Sequence, residues 1–154
     1  MAARRALQRS ANLEAVQHLT RGLALLAMLP ETQARAQQEL DLQLALAPVL
    51  MATKGFASPE VEQAYTRAMA LCRQVGQSPQ RFPALRGVWA FYHTRNQLDT
   101  ARELAEQLLQ LAQTLQHRGF LLEAHRAMGE TLSRPGEWAA ARAHFEAAMA
   151  LYDP

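Results

Sequence analysis

The sequence predicts an all-α fold, a helical solenoid of about seven helices, on three observations: a long internal repeat, a composition suited to helices, and stop signals that cut the chain into helix-length pieces. The string Ala68-Met69-Ala70-Leu71 returns as Ala148-Met149-Ala150-Leu151, an offset of 80. The segment 86–111 falls on 126–151 at an offset of 40, with Arg86/Arg126, Ala101/Ala141, Arg102/Arg142, Glu106/Glu146 and Leu111/Leu151 identical. A period of that length, filled by two helical patterns, marks an array in which each unit buries its apolar face on its neighbours. Isoleucine is absent, valine sparse, and alanine, leucine, glutamine and arginine dominate, which favours helix over sheet.

The first helix is expected over about 10–28, where Leu13, Val16, Leu19, Leu23 and Leu26 recur at steps of three and four and Pro30 stops the pattern. A second starts near Thr32. Its Leu40, Leu42, Leu44 and Leu46 alternate as in a strand, but unbranched side chains favour a helix buried on more than one side, kinked or divided at Pro48. Ser58-Pro59-Glu60 with Glu62 opens a third helix running to about Val75: a capping hydroxyl, a proline at the first position and acids at the positive dipole end. Gly76 is its expected C-cap. A fourth begins between Pro79 and Pro83 and reaches Arg95, and a fifth spans about Leu98 to Leu115, closed by His117, Arg118 and Gly119 as a basic last turn plus cap. The sixth runs from about Phe120 to Ser133 and the seventh from Glu137 to Tyr152.

Gly55, Asn96 and Gly136 stand at three tight turns, spaced 41 and 40 apart, and are residue types that tolerate left-handed backbone. The organisation is therefore one repeat domain over 1–154, with a leading helix 10–28 and hairpins at about 32–75, 82–115 and 120–152. The leading helix reads as the second half of a hairpin, so the chain is expected to be part of a larger protein whose exposed ends self-associate into a homodimer.

Bulk properties narrow the function classes. The net charge of +2 is almost all arginine, with Lys54 the only lysine, and the arginines are interleaved with acids, which argues against a nucleic-acid partner. The longest apolar run, Leu44 to Ala52, is broken by Pro48 and falls far short of the roughly 20 residues that span a bilayer. Arg4, Arg5 and Arg9 are read as a solvated helix beginning and not a transit peptide. The lone Cys72 forms no intramolecular disulfide, so a reducing cytoplasm is expected.

Reactive constellations are few. There is no GxxxxGK[ST] or GxGxxG string for phosphate binding, and no histidine pair stands at helical metal-ligand spacing. No cofactor, no metal and no catalytic activity is expected. His125 and His144 are placed to meet across the last hairpin, where a packed pair is the commoner outcome than a ligand pair. Cys72, near Arg73 and His18, lacks an oxyanion hole or orienting acid and reads as a half-buried structural thiol. Trp89, Tyr92, Trp138 and Phe145 read as core aromatics rather than a stacking platform.

The last hairpin, with Gly129 midway along its first helix, Gly136 and Trp138 at the turn, then Ala141, Phe145 and Ala148, resembles a tetratricopeptide repeat (TPR). The middle hairpin keeps Tyr92, Leu98 and Ala101 but carries Trp89 and Ala105 where the pattern wants glycine and an aromatic, a size swap across one contact. The first keeps Tyr65 and Ala68. The stretches QRSANLEAVQHLTRGLALLA and LQLALAPVLMATKGFASPEVEQAY are similar to the C-terminal repeat region of bacterial ATPase/adenylate-cyclase-type or LuxR-type signalling regulators. That resemblance implies a right-handed α-solenoid of antiparallel helix pairs serving as a sensor or protein-interaction segment.

In such an array the first helix of each hairpin lines the concave groove. Its exposed stripe is Arg86, Ala90, His93 and Thr94 on the fourth helix and Glu123, Arg126, Glu130, Ser133 and Arg134 on the sixth. Stacked repeats should align Arg86 and Arg126 as neighbouring rungs, favouring a protein or acidic peptide. The simpler account of Arg126 is an i, i+4 pair with Glu130 on a solvated face. Arg102 and Arg142 are expected to face outward. The alternative function is a small-ligand sensor using the same groove.

Overall fold

The computed structural model describes residues 2–75 and 80–152, with side chains from Ser10 onward. Among these residues there are seven helices and no strand: α1 Ala2–Ala27, α2 Gln33–Lys54, α3 Pro59–Val75, α4 Arg81–Thr94, α5 Leu98–Leu115, α6 Arg118–Ser133 and α7 Trp138–Ala150. No helix among them is long and apolar enough to cross a membrane. The chain divides into two compact units, Met1–Gly87 and Val88–Pro154, and the division falls within α4.

Local chemistry accounts for most boundaries. Thr32 caps α2, its Oγ1 accepting the Arg35 N–H at 3.1 Å, and Ser58 Oγ accepts the Val61 N–H at 3.4 Å at the head of α3. Gly55, Asn96 and Gly136 take φ of 93°, 59° and 88°, the left-handed backbone that their turns require. Gly76 and Pro79 lie outside the described residues.

Three boundaries differ from expectation. Helix α1 starts at Ala2 and not near Ser10, because residues 2–9 (AARRALQR) are all strong helix formers with nothing to stop them. Of the kink or division expected at Pro48, division does not occur: α2 continues as one helix to Lys54. The α5–α6 turn is made by Gln116 (φ 48°), not by a His117-Arg118-Gly119 cap. His117 belongs to the next helix: its Nδ1 accepts the Phe120 N–H at 3.2 Å and its ring stacks on Phe120, so an imidazole does the work of a serine cap.

In the first unit, α2 packs between α1 and α3. Leu40 joins Ala68, Leu71, Cys72 and Ala84 in a core cluster, with Ala36, Leu44 and Met69 against it. Leu42 lies under Gly22 of α1. The alternating leucines therefore serve two packed sides of one helix. A bidentate ion pair of Arg67 to Glu39, at 2.5 and 2.8 Å, ties α3 to α2 at the surface. Tyr65 packs on Gly87, where an added Cβ would fall 2.0 Å from the Tyr65 ring.

In the second unit, α6 packs on both α5 and α7. Ala101, Ala105, Leu108 and Ala112 of α5 are fully buried, as are Ala124 and Ala127 of α6 and Ala141 of α7. Small residues bring these helices close, and larger side chains plug the gaps. Trp89 is buried and donates its indole N–H to Thr131 Oγ1 at 3.0 Å. Phe145 fits under Gly129, where a Cβ would lie 2.6 Å from its ring. Arg102 reaches Glu137, at the head of α7, in a bidentate pair at 3.0 and 2.8 Å.

Trp138 departs from its expected core position: it is 69% exposed. Phe145 already occupies the approach between α6 and α7, while Trp138, at the first position of α7, stands on the open side of that helix. Met149 is 74% exposed on the same side, eleven residues or about three turns further on.

Candidate functional site

The expected stripe is distributed over both compact units. Arg86 belongs to the first, half-buried on α4, where its charge acts on the Tyr65 hydroxyl, whose pKa burial raises. The remaining eight residues belong to the second, and seven of them offer surface. Ala90 does not: it is buried, its carbonyl accepting the Thr94 hydroxyl at 2.7 Å. Its helical phase turns it toward the packed side with Trp89 and Phe91.

Hydrogen bonds link His93, Glu123, Arg126, Glu130 and Ser133 of the second unit into one polar cluster. His93 Nε2 lies 3.4 Å from the Glu130 carbonyl oxygen, and the His93 ring stacks on Trp89 with centroids 5.0 Å apart. Burial, followed by the charge of Arg134, pushes the His93 pKa down, against the opposing pull of Glu130. Arg134 Nη1 donates to Asn96 Oδ1 at 3.3 Å, and Ser133 Oγ donates to the Glu130 carbonyl at 2.9 Å.

Arg126 is held from both sides on its own helix. It donates to Glu130 at 2.7 Å and to Glu123 at 3.0 Å. Its Nε is buried without a partner. Desolvation works against its charge, but the two carboxylates prevail and raise its pKa. The Glu123-Arg126-Glu130 trio carries a net charge of −1, so Arg126 is the centre of an acidic ladder and not an open guanidinium. An acidic ligand has to displace those carboxylates first. Sequence spacing exposes both i, i+3 and i, i+4 partners of Arg126, but only the rotamer shows that the two are engaged together.

The outward pair divides. Arg142 is 81% exposed and pairs with Glu146 on its own helix at 2.7 Å. Arg102 is tied to Glu137 and braces the head of α7, a role that only the tertiary fold creates.

His125 and His144 meet as expected, Nδ1 to Nδ1 at 3.0 Å with ring centroids 5.2 Å apart. One ring donates and the other accepts, so the two Nδ1 atoms cannot both carry a proton and the pair cannot be doubly charged in this geometry. Burial lowers the pKa of each, and the neighbouring His144 lowers that of His125 further. No group of three or more His, Cys, Asp or Glu side chains able to hold a metal occurs among the described residues. Cys72 is 2% exposed, more deeply buried than the half-buried thiol expected, and burial pushes its thiol pKa up despite the charge of Arg81.

These histidines set a pH dependence. A folded pKa held below the ordinary 6.5 means that the unfolded chain binds the proton more tightly. The stability contributed by neutral His93, His125 and His144 is therefore present above pH 6.5 and is lost as pH falls through their folded values. The melting temperature is expected to drop between pH 7 and pH 5, before the paired Glu39 and Glu60, both with lowered pKa, begin to protonate. Replacing His125 and His144 together by Gln should flatten that part of the profile; an unchanged slope would show that the pair is not the cause.

No family model, no curated protein and no solved structure matches this chain.

Proposed function

We propose that this chain is a non-catalytic module that binds a protein or peptide, a TPR-like right-handed α-solenoid acting as the regulatory or scaffold arm of a bacterial signalling protein. The observation that carries the reading is that the sequence repeat is also a conformational one. Gly55, Asn96 and Gly136, at a spacing of 41 and 40, all adopt positive φ. Ala101 and Ala141 are both buried, and Arg102 and Arg142 are both exposed with Glu106 and Glu146 one turn on, although Arg102 also reaches Glu137. Repeated hairpins of this kind place function on an extended face rather than in an enclosed pocket.

Within the second unit the face that fits this role is His93, Glu130, Ser133 and Arg134 beside the Glu123-Arg126-Glu130 ladder. Its charges are mixed, which suits a polar segment read by alternating donors and acceptors. The test is selection of peptides from a random displayed library on the immobilised chain. Selected peptides should lose at least about tenfold in affinity on Arg134→Glu combined with Arg126→Gln, and weaken with added salt, since exposed charges are screened beyond about 10 Å at 0.1 M. Helicity should be unchanged, and Arg142→Glu, on α7, should have no effect. Peptides that bind the double variant as tightly as the parent would overturn the assignment of this face.

A further inference from the structure

We propose that the open side of α7 is a self-association surface on which two copies of this chain pair antiparallel about a twofold axis. The inference is independent of the peptide-binding reading. Ser133 at the end of α6, with Trp138, Ala141, Phe145 and Met149 of α7 and the flanking Arg142 and Glu146, lines one groove. Trp138 and Met149 are 69% and 74% exposed, and Tyr152, one turn further, is exposed to the same degree as Trp138. At 100° per residue, Trp138, Phe145 and Met149 fall within about 40° of one another, and Arg142 and Glu146 both fall on the same flank of that stripe.

The order of these residues is self-complementary. A twofold axis crossing α7 at right angles near position 144 exchanges positions 142 and 146 and keeps each residue on its own flank. Arg142 of one copy then faces Glu146 of the second copy, and the reverse pair forms symmetrically. The same operation brings Trp138 of each copy alongside Met149 of the other. In the single chain Arg142 and Glu146 pair within one helix, with side chains 81% and 60% exposed. In the pair they form a closed ring of four alternating charges flanking an apolar seam. In a parallel pair the twofold axis would put the two charged flanks on opposite sides of the seam, so the Arg142–Glu146 cross pairs form only in the antiparallel arrangement.

The area is sufficient for a weak specific dimer. Aromatic side chains carry about 150–250 Å² each. Trp138, Met149 and Tyr152 with the flanking Arg142 and Glu146 supply on the order of 500 Å² per copy, and the pair reaches the roughly 1,000 Å² at which specific interfaces begin.

Sedimentation velocity on the full chain, from low micromolar to millimolar concentration, tests this. The parent chain should show a reversible monomer–dimer equilibrium. Arg142→Glu and Glu146→Arg should each weaken it by at least about tenfold, because each places like charges opposite one another twice. An equimolar mixture of the two variants should restore dimerisation, since the all-acidic copy then faces the all-basic one. Trp138→Ser should also dissociate the dimer, and circular dichroism should report unchanged helicity for every variant. A parent chain that stays monomeric at millimolar concentration overturns the proposal. So does a mixture that associates no better than its components, or association that survives Trp138→Ser but is lost on Leu25→Ser with Met28→Ser, which would place the contact on α1.

Discussion

Replacing Gly87 by alanine is expected to destabilise the first compact unit by about 1–3 kcal/mol or more, the usual range for overpacking a filled site. The sign is informative, because Gly→Ala inside a helix ordinarily gains about 1 kcal/mol. At Gly87 the new Cβ would meet Cε1, Cδ1 and Cζ of Tyr65 at 2.0–2.2 Å. Tyr65 is 6% exposed, so its ring has little room to withdraw. Gly129 on α6 should behave alike, with Phe145 at 2.6 Å. Gly22 on α1 is the contrast: its Cβ would meet Leu42 at 3.6 Å, an ordinary contact, and the alanine variant there should be more stable than the parent. Urea unfolding followed by circular dichroism measures all three. Stabilisation by Gly87→Ala would mean that α3 and α4 do not approach through this glycine.

Trp89→Ala is expected to cost about 3–5 kcal/mol, the range for emptying a large aromatic site in a core. Trp89 is 3% exposed. Against a total stability of roughly 5–15 kcal/mol, that is a large fraction of the whole and should lower the melting temperature of the second unit markedly. The packing and hydrogen-bonding parts separate in a double-mutant cycle. Thr131→Val removes the acceptor of the indole N–H and should cost about 1–3 kcal/mol. Once Trp89 is phenylalanine, Thr131→Val should cost less by about 1 kcal/mol, the net worth of such a bond. Strict additivity would show that the 3.0 Å contact contributes nothing to stability.

What the sequence made legible was what neighbours along the chain decide. The Leu98–Leu115 helix matches to the residue because a turn-forming Asn96 precedes it and the helical pattern lapses after it. The Ser58 cap, the start of α2 near Thr32 and the three left-handed turns follow from single residue types at single places. The depth of Cys72 followed less well, since how far a thiol is covered depends on Leu40 and Ala84, which come from other helices.

The rest depended on tertiary competition. Trp138 has a core residue's chemistry, but Phe145 had already filled the space that it was expected to take. Ala90 stands three residues before the half-buried His93, nearly one helical turn, yet it is itself buried. His117 looks like a C-terminal basic residue until its ring is seen accepting the Phe120 N–H. Arg126 is legible as a charge but not as a neutralised one, because the choice between an outside ligand and Glu123 with Glu130 is made by a rotamer. The weakest part of the sequence reading was thus the identity of the site residues, where each error involved a competition between partners several residues or a whole helix apart.

The burial of Cys72 gives this chain two native reporters that do not overlap. The sole thiol sits in the first compact unit, whereas both tryptophans, Trp89 and Trp138, sit in the second. A thiol-reactive dye reaches Cys72 only when the Leu40–Leu71–Ala84 cluster opens, so the labelling rate clocks that opening, while indole emission registers the exposure of Trp89. Run side by side without any engineered probe, the two signals time the opening of each unit separately and reveal whether the division within α4 is also a boundary of cooperativity.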